Sequence, residues 1–143
     1  MESAIFFNDF TATLDLTALN KLKSWILNTS LSEGSDIGEL LFSFCTDDYL
    51  HKINVDYLKH DTFTDIITFD YSSPSLISGE IFISLDRVND NANKFDLPFD
   101  FELYRILIHG VLHLLGYKDK SPKEKAEMTA KEDYYLSLLP DLT

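Results

Sequence analysis

The stretch "LIHGVLHLLGYKDK", residues 107–120, carries two of the chain's four histidines, His109 and His113, four positions apart. Around them Leu103, Ile106, Leu107, Ile108, Val111, Leu112, Leu114 and Leu115 fall on every side of a helical wheel. A helix apolar all round is a buried helix. The spacing predicts one over residues 98–115, closed by Gly116 as its C-terminal cap. Four helical residues span about 40° of rotation and about 6 Å of rise. Both imidazoles therefore leave one face and can share one ion. A single histidine here would read as a hydrogen-bonded core residue; two at this spacing predict a metal pair.

The zinc-protease pattern H-E-x-x-H places a glutamate beside the first histidine as general base. Here that place is Gly110, which argues against a peptidase of that type. Glycine costs a helix roughly 1 kcal/mol against alanine, so Gly110 predicts close approach by a strand or by a substrate. A catalytic zinc takes three protein ligands and keeps one open position. Beyond Gly116 the chain must reverse, and Asp119 follows six residues after His113. Asp119 is the candidate third ligand; the alternative is an exposed turn residue.

Working outward, residues 4–7 form a short apolar run expected to be a strand. Thr17 opens a helical pattern to Asn28, with Leu19, Leu22, Trp25 and Ile26 at spacings of three and four. Residues 28–36 (NTSLSEGSD) carry loop chemistry. Residues 37–45 read as a strand, and Thr46 or Asp47 can cap a helix running to about Tyr57. Residues 66–71 and 79–85 read as strands, joined by a turn at 72–78. Asp86 can cap a helix over 86–95. Ser121-Pro122-Lys123-Glu124 is a capping box with proline at the first helical position, opening a last helix to about Leu138. Strands gather in the first 85 residues and helices follow. That order predicts an α+β fold, one four-stranded mixed sheet packed with about five helices.

The chain has 143 residues, which suggests a single domain over residues 1–143. Its 45% hydrophobic content is ordinary for a globular protein. No apolar run approaches the roughly 18 residues of a membrane span. The opening MESAIFFNDF lacks the basic and long apolar regions of a secretion signal. Cys45 is the only cysteine, which excludes an intrachain disulfide and a cysteine zinc cluster. It lies in the apolar run LLFSFCT and reads as a small core residue. A reducing cytoplasm is the expected location.

The formal charge of −12 counts against nucleic acid as a partner. Its distribution softens this, because residues 118–133 balance five lysines against five acids. That segment reads as a solvated helix with mixed charges.

The run His109-Gly110-Val111-Leu112-His113-Leu114-Leu115-Gly116-Tyr117 resembles the H-G-x-L-H-L-x-G-Y signature of the YbeY family, bacterial single-strand-specific endoribonucleases linked to ribosomal RNA maturation and ribosome quality control. Thr64-Asp65-Ile66-Ile67-Thr68-Phe69 is similar to the family's T-D-V-L-S-F. Gly79-Glu80-Ile81-Phe82-Ile83-Ser84 is similar to its G-D-I-x-I-S strand. The three occur in family order and the resemblance covers nearly the whole chain. It implies metal-dependent phosphodiester hydrolysis with one divalent ion, zinc expected. It also implies single-stranded or ribosomal RNA as substrate, and the ribosome or small-subunit proteins as possible partners.

Two departures stand out. The family motif usually ends G-Y-D-H with a third ligating histidine, and here Asp119 occupies that place. Carboxylate oxygen is an accepted zinc ligand and harder than imidazole. An anionic ligand should leave a bound water less acidic and make magnesium or manganese less disfavoured. The family also commonly carries an arginine shortly before T-D-V-L-S-F, and here that position is Leu58. Lys59, His60 or Arg105 are candidates to replace its charge toward substrate phosphate, although a lysine lacks the two-pronged arginine geometry. Arg105, four residues before His109, can equally snorkel at the core's edge.

No general base is evident; Asp65 is a remote candidate, with a strand-capping turn residue as its alternative. Glu80 is a candidate to orient an imidazole N–H. His51 reads as a surface residue of its helix. The rival functions are a non-catalytic ribosome-assembly factor with a vestigial or structural metal site, and a metal hydrolase or amidase of a small molecule.

Overall fold

Strand β2 (Asp36–Cys45) is the strand on which the sheet is built. In the computed structural model, which describes residues 4–140, it lies between β1 (Ala4–Asp9) and β4 (Leu76–Ser84), parallel to both. β3 (Ile66–Asp70) pairs antiparallel with the far side of β4, giving the order β1-β2-β4-β3. The sheet is thus four-stranded and mixed, and the fold is α+β as expected. The first three residues of MESAIFFNDF lie outside the described range.

Among the described residues six helices accompany the sheet, close to the expected number: α1 (Leu16–Asn20), α2 (Lys23–Ser32), α3 (Asp47–Leu58), α4 (Leu85–Lys94), α5 (Phe99–Leu114) and α6 (Pro122–Leu136). The extra one arises because the helix expected from Thr17 divides in two. The amides of Lys21 and Leu22 bond three residues back, to Ala18 and Leu19. Such a tight turn eclipses residues three apart, and it keeps both Leu19 and Leu22 in the core.

The polar run after Asn28 is helical as far as Ser32, not a loop. Thr29 and Ser30 are buried because their hydroxyls donate to the carbonyls of Trp25 (2.9 Å) and Ser35 (2.7 Å). Strand β4 begins at Leu76, three residues before the expected start, and ends at Ser84. Ser84, not Asp86, caps α4, its hydroxyl accepting from the Arg87 amide at 3.2 Å. The capping box at Ser121 and Glu124 forms as expected.

Helix α5 is the axis of the core. It packs on β3 and β4 and is flanked by α2, α4 and α6. Leu107, Ile108, Val111 and Leu112 are fully buried in one cluster with Leu40, Phe42, Ile81 and Ile83 of the sheet, Leu22 just before α2 and Ile26 within it. Burying a side chain of this size contributes about 2 kcal/mol. A Cβ on Gly110 would meet Ile81 at 3.1 Å and Ile66 at 3.2 Å. The close neighbour that Gly110 predicts is therefore a strand surface. The opposite sheet face is covered by α3, over a smaller cluster of Cys45, Leu50, Ile53 and Ile67. Burial among these groups pushes the Cys45 thiol up to about 12, which fits a packing residue rather than a nucleophile.

Candidate metal centre

The half-exposed face of α5 carries both histidines. Helix α5 ends at Leu114, and Gly116 at φ +105° turns the chain through the left-handed region. The main-chain N–H of Tyr117 then returns to the Leu112 carbonyl at 3.0 Å. This compact reversal brings Asp119 back over the helix. Its Oδ2 lies 3.3 Å from Nε2 of His109 and 3.4 Å from Nε2 of His113, and the two Nε2 atoms are 2.9 Å apart. Among the described residues this is the only set of three histidine, cysteine or acidic side chains whose donor atoms converge within 4.8 Å.

The outer nitrogens fix what the inner ones offer. His113 Nδ1 is 3.0 Å from the Tyr117 carbonyl, and His109 Nδ1 is 2.6 Å from Glu132 Oε2. A carbonyl and a carboxylate accept only, so each Nδ1 carries the proton and donates. Each Nε2 is left with a lone pair directed at the other and at the Asp119 carboxylate. Three electron-rich atoms so placed repel unless a cation lies among them. Tetrahedral zinc ligands about 2.0–2.1 Å from the ion sit about 3.3 Å apart. The two histidine–aspartate separations match that figure, and the histidine pair needs to open by a few tenths of an ångström. The residues fit a divalent ion.

A proton among the three atoms relieves the same repulsion. Burial pushes His109 down, but Glu132, by hydrogen bond and charge, together with Asp119 and Asp65, outweighs it and raises its pKa above the ordinary histidine value.

The remaining candidates are scattered. Arg105 is committed: its guanidinium donates to Glu132 Oε1 at 2.7 Å and to Asp133 Oδ1 at 2.5 Å. It braces the carboxylate that holds His109. Glu80 does not serve either imidazole. Gly79 and Ile81 face Leu114 and Gly110 of α5, so strand alternation sends Glu80 to the opposite face, beside Phe69 and Phe82. The hydrogen bond expected of Glu80 is made by Glu132 instead.

Asp65 is half-buried just before β3, where its carbonyl accepts from the Ser84 amide at 2.9 Å. It stays outside the three-donor set and acts on His109 only through charge. Lys59 caps its own helix, donating to the Asp56 carbonyl at 3.1 Å. His51 pairs with Asp61 at 2.8 Å and stacks on Phe63.

A cleft of about 560 Å³ opens beside the centre, lined by His113, Lys120, His60, Leu58, Thr64 and Thr68 among others. It runs between the turn after α5 and the strand edge of β3. His60 thus reaches the cleft, while Lys59 is not among its lining residues.

Glu132 is the functional residue that motif reading misses. It sits in the mixed-charge segment taken for a solvated helix, yet it is buried alongside Met128, Tyr135 and Leu136 of the same helix. An acid in the apolar register of an amphipathic helix was the available signal, since buried acids are nearly always paired. Glu102 is likewise buried on α5, where burial, with Asp65 and Glu132, raises its pKa against the pull of Arg105.

A mixed sheet carrying a buried helix, two imidazoles one turn apart and a carboxylate in the following turn define a single-sheet fold with three converging donor side chains that could hold a metal ion, beside a cleft. The family model described as endoribonuclease YbeY matches residues 5–140. Curated proteins of that name are similar over most of their length. The one from Flavobacterium johnsoniae is 51% identical over 114 residues, 80% of this chain and 82% of its own. The one from Cytophaga hutchinsonii is 47% identical over 138 residues, 96% of both chains. The solution structure of TM1509 from Thermotoga maritima superposes with a TM-score of 0.68 at 27% identity, covering 93% of this chain and 87% of its own. The chain belongs to the endoribonuclease YbeY family. No helix among its described residues is long and apolar enough to cross a membrane.

Proposed function

We propose that this chain is a metal-dependent endoribonuclease that cuts single-stranded RNA, acting on ribosomal RNA in the cytoplasm during ribosome maturation and quality control. The observation that carries the reading is the convergence of His109 Nε2, His113 Nε2 and Asp119 Oδ2 beside an open cleft, in a chain of this family. When bound, a divalent ion, zinc by this donor set, supplies Lewis acidity for phosphodiester hydrolysis.

The chain's own residues do the rest. Glu132 and the Tyr117 carbonyl hold the imidazoles in one tautomer and orientation. His60 and Lys120, on the cleft wall, face substrate phosphate in place of the arginine that Leu58 replaces. Arg105 braces Glu132 and contacts no substrate. A net charge of −12 gives little long-range attraction for RNA. That supports delivery of the substrate by the ribosome or a small-subunit protein.

The test uses zinc-loaded full-length chain with single-stranded RNA and the corresponding duplex. Cleavage of the single strand, lost on chelation and in Asp119→Ala, supports the reading. One bound ion per chain without cleavage would sink it in favour of a non-catalytic assembly factor with a structural metal site. The acidic charge and Leu58 are the features that favour that second reading.

A further inference from the structure

Glu33 closes helix α2, its amide bonded to the Thr29 and Ser30 carbonyls. Its side chain reaches Tyr117 and helix α6 and is largely buried, at 12% exposure. There it accepts three hydrogen bonds: from the Tyr117 hydroxyl at 2.6 Å, from the Lys131 ammonium at 3.1 Å, and from the Tyr135 hydroxyl. Burial pushes its pKa up, but these three donors outweigh burial and hold the carboxyl below its ordinary value. Lys131 also lies 5.8 Å above the centre of the Tyr117 ring. Tyr117 is thus gripped at its hydroxyl and on its face by residues 84 positions upstream and 14 downstream.

Tyr117 is also the residue whose carbonyl holds His113 Nδ1, and it stands two positions before Asp119. The Tyr117 N–H bond to the Leu112 carbonyl anchors the start of this turn, and the grip on the Tyr117 hydroxyl and ring adds a second anchor to the same residue. We infer that Glu33 is a positioning residue for the metal centre, acting through Tyr117 to set the His113 ring and the return of Asp119. The inference rests on the metal-centre reading above. It extends the support of the site from α6, which serves His109, to α2, which serves His113.

The experiment compares full-length parent, Glu33→Gln, Tyr117→Phe and Tyr135→Phe after chelation. Zinc affinity is measured by chelator competition, the cobalt-substituted absorption spectrum is recorded, and thermal stability is followed in parallel. Glu33→Gln and Tyr117→Phe should each weaken zinc by about tenfold or more, as loss of outer-shell support does at metal sites, and should alter the cobalt spectrum. A variant combining Glu33→Gln with Tyr117→Phe, measured alongside, should be little worse than either single one, because one contact is cut twice.

Tyr135→Phe strips a donor from the same carboxylate without touching the turn. It should lower stability and leave zinc affinity near the parent's. Zinc affinity unchanged in Glu33→Gln and Tyr117→Phe, or lowered equally in Tyr135→Phe, overturns the inference and makes Glu33 a structural anchor only. Failure of the parent itself to bind zinc overturns the metal-centre reading, and this inference with it; a zinc-binding parent with unaffected variants overturns this inference alone.

Discussion

Glu132 lies 23 positions beyond His109 in the chain, and its Oε2 sits 2.6 Å from the His109 Nδ1. Its other oxygen takes Arg105, so one buried carboxylate ties the His109 imidazole to the packing of α5 against α6. Glu132→Ala should therefore act twice. Metal affinity should fall roughly 10–100-fold. Stability should fall by about 1–3 kcal/mol, because His109 and Arg105 lose a buried partner. Zinc titration and urea unfolding of the chelated protein measure the two separately. An unchanged affinity would remove Glu132 from the site.

Asp119 stands where the family usually has a histidine, and the structure brings its carboxylate to both imidazoles. Asp119→His replaces a hard anionic donor with a neutral, softer one. Metal preference should move toward zinc and away from magnesium and manganese, and the pH midpoint of RNA cleavage should fall. Identical metal preference and pH profile in the variant would show that the carboxylate does not ligate.

Gly110 faces Ile81 and Ile66 so closely that even an added Cβ requires these side chains to give by a few tenths of an ångström. Gly110→Val should overpack this contact and destabilise the protein by about 1–3 kcal/mol. Gly110→Ala should cost less, because the helix-propensity gain of about 1 kcal/mol offsets part of the strain. Denaturant midpoints of the two variants give the order; a valine variant as stable as the parent would mean that α5 can lift from the sheet freely.

Hydrogen bonds from Tyr117, Tyr135 and Lys131 outweigh burial and hold the Glu33 carboxyl below the ordinary glutamate range in the folded chain. A group of this kind contributes stability that is present above its unfolded value and lost as pH falls through its folded value. The parent's thermal midpoint should thus fall below about pH 4.5 more steeply than that of Glu33→Gln. Parallel curves for the two proteins between pH 6 and 3 would rule out this linkage.

The sequence by itself determined what local chemistry can determine. The apolar surround of residues 103–115 makes α5 buried, and a four-residue spacing puts His109 and His113 on one face whatever the helix packs against. Gly116 ends that helix because only glycine adopts its positive φ without strain. Ser121 and Glu124 begin the next one by capping each other. The sheet's membership and the α+β class followed from the order of strands and helices.

Tertiary structure alone decided which distant groups support those histidines. Glu80 looked suitable by its place beside a motif, but strand alternation turns it to the wrong face. Arg105 looked free to meet phosphate until Glu132 and Asp133 came within reach from α6. The polar run after Asn28 continues as helix only because Trp25 and Ser35 offer carbonyls to Thr29 and Ser30. Glu132 reaches His109 from 23 positions away, and Glu33 reaches the Tyr117 hydroxyl from 84. Local propensity carries no information about such separations. They are set when α2, α5 and α6 bury their apolar faces together, and the polar groups caught between them must find partners.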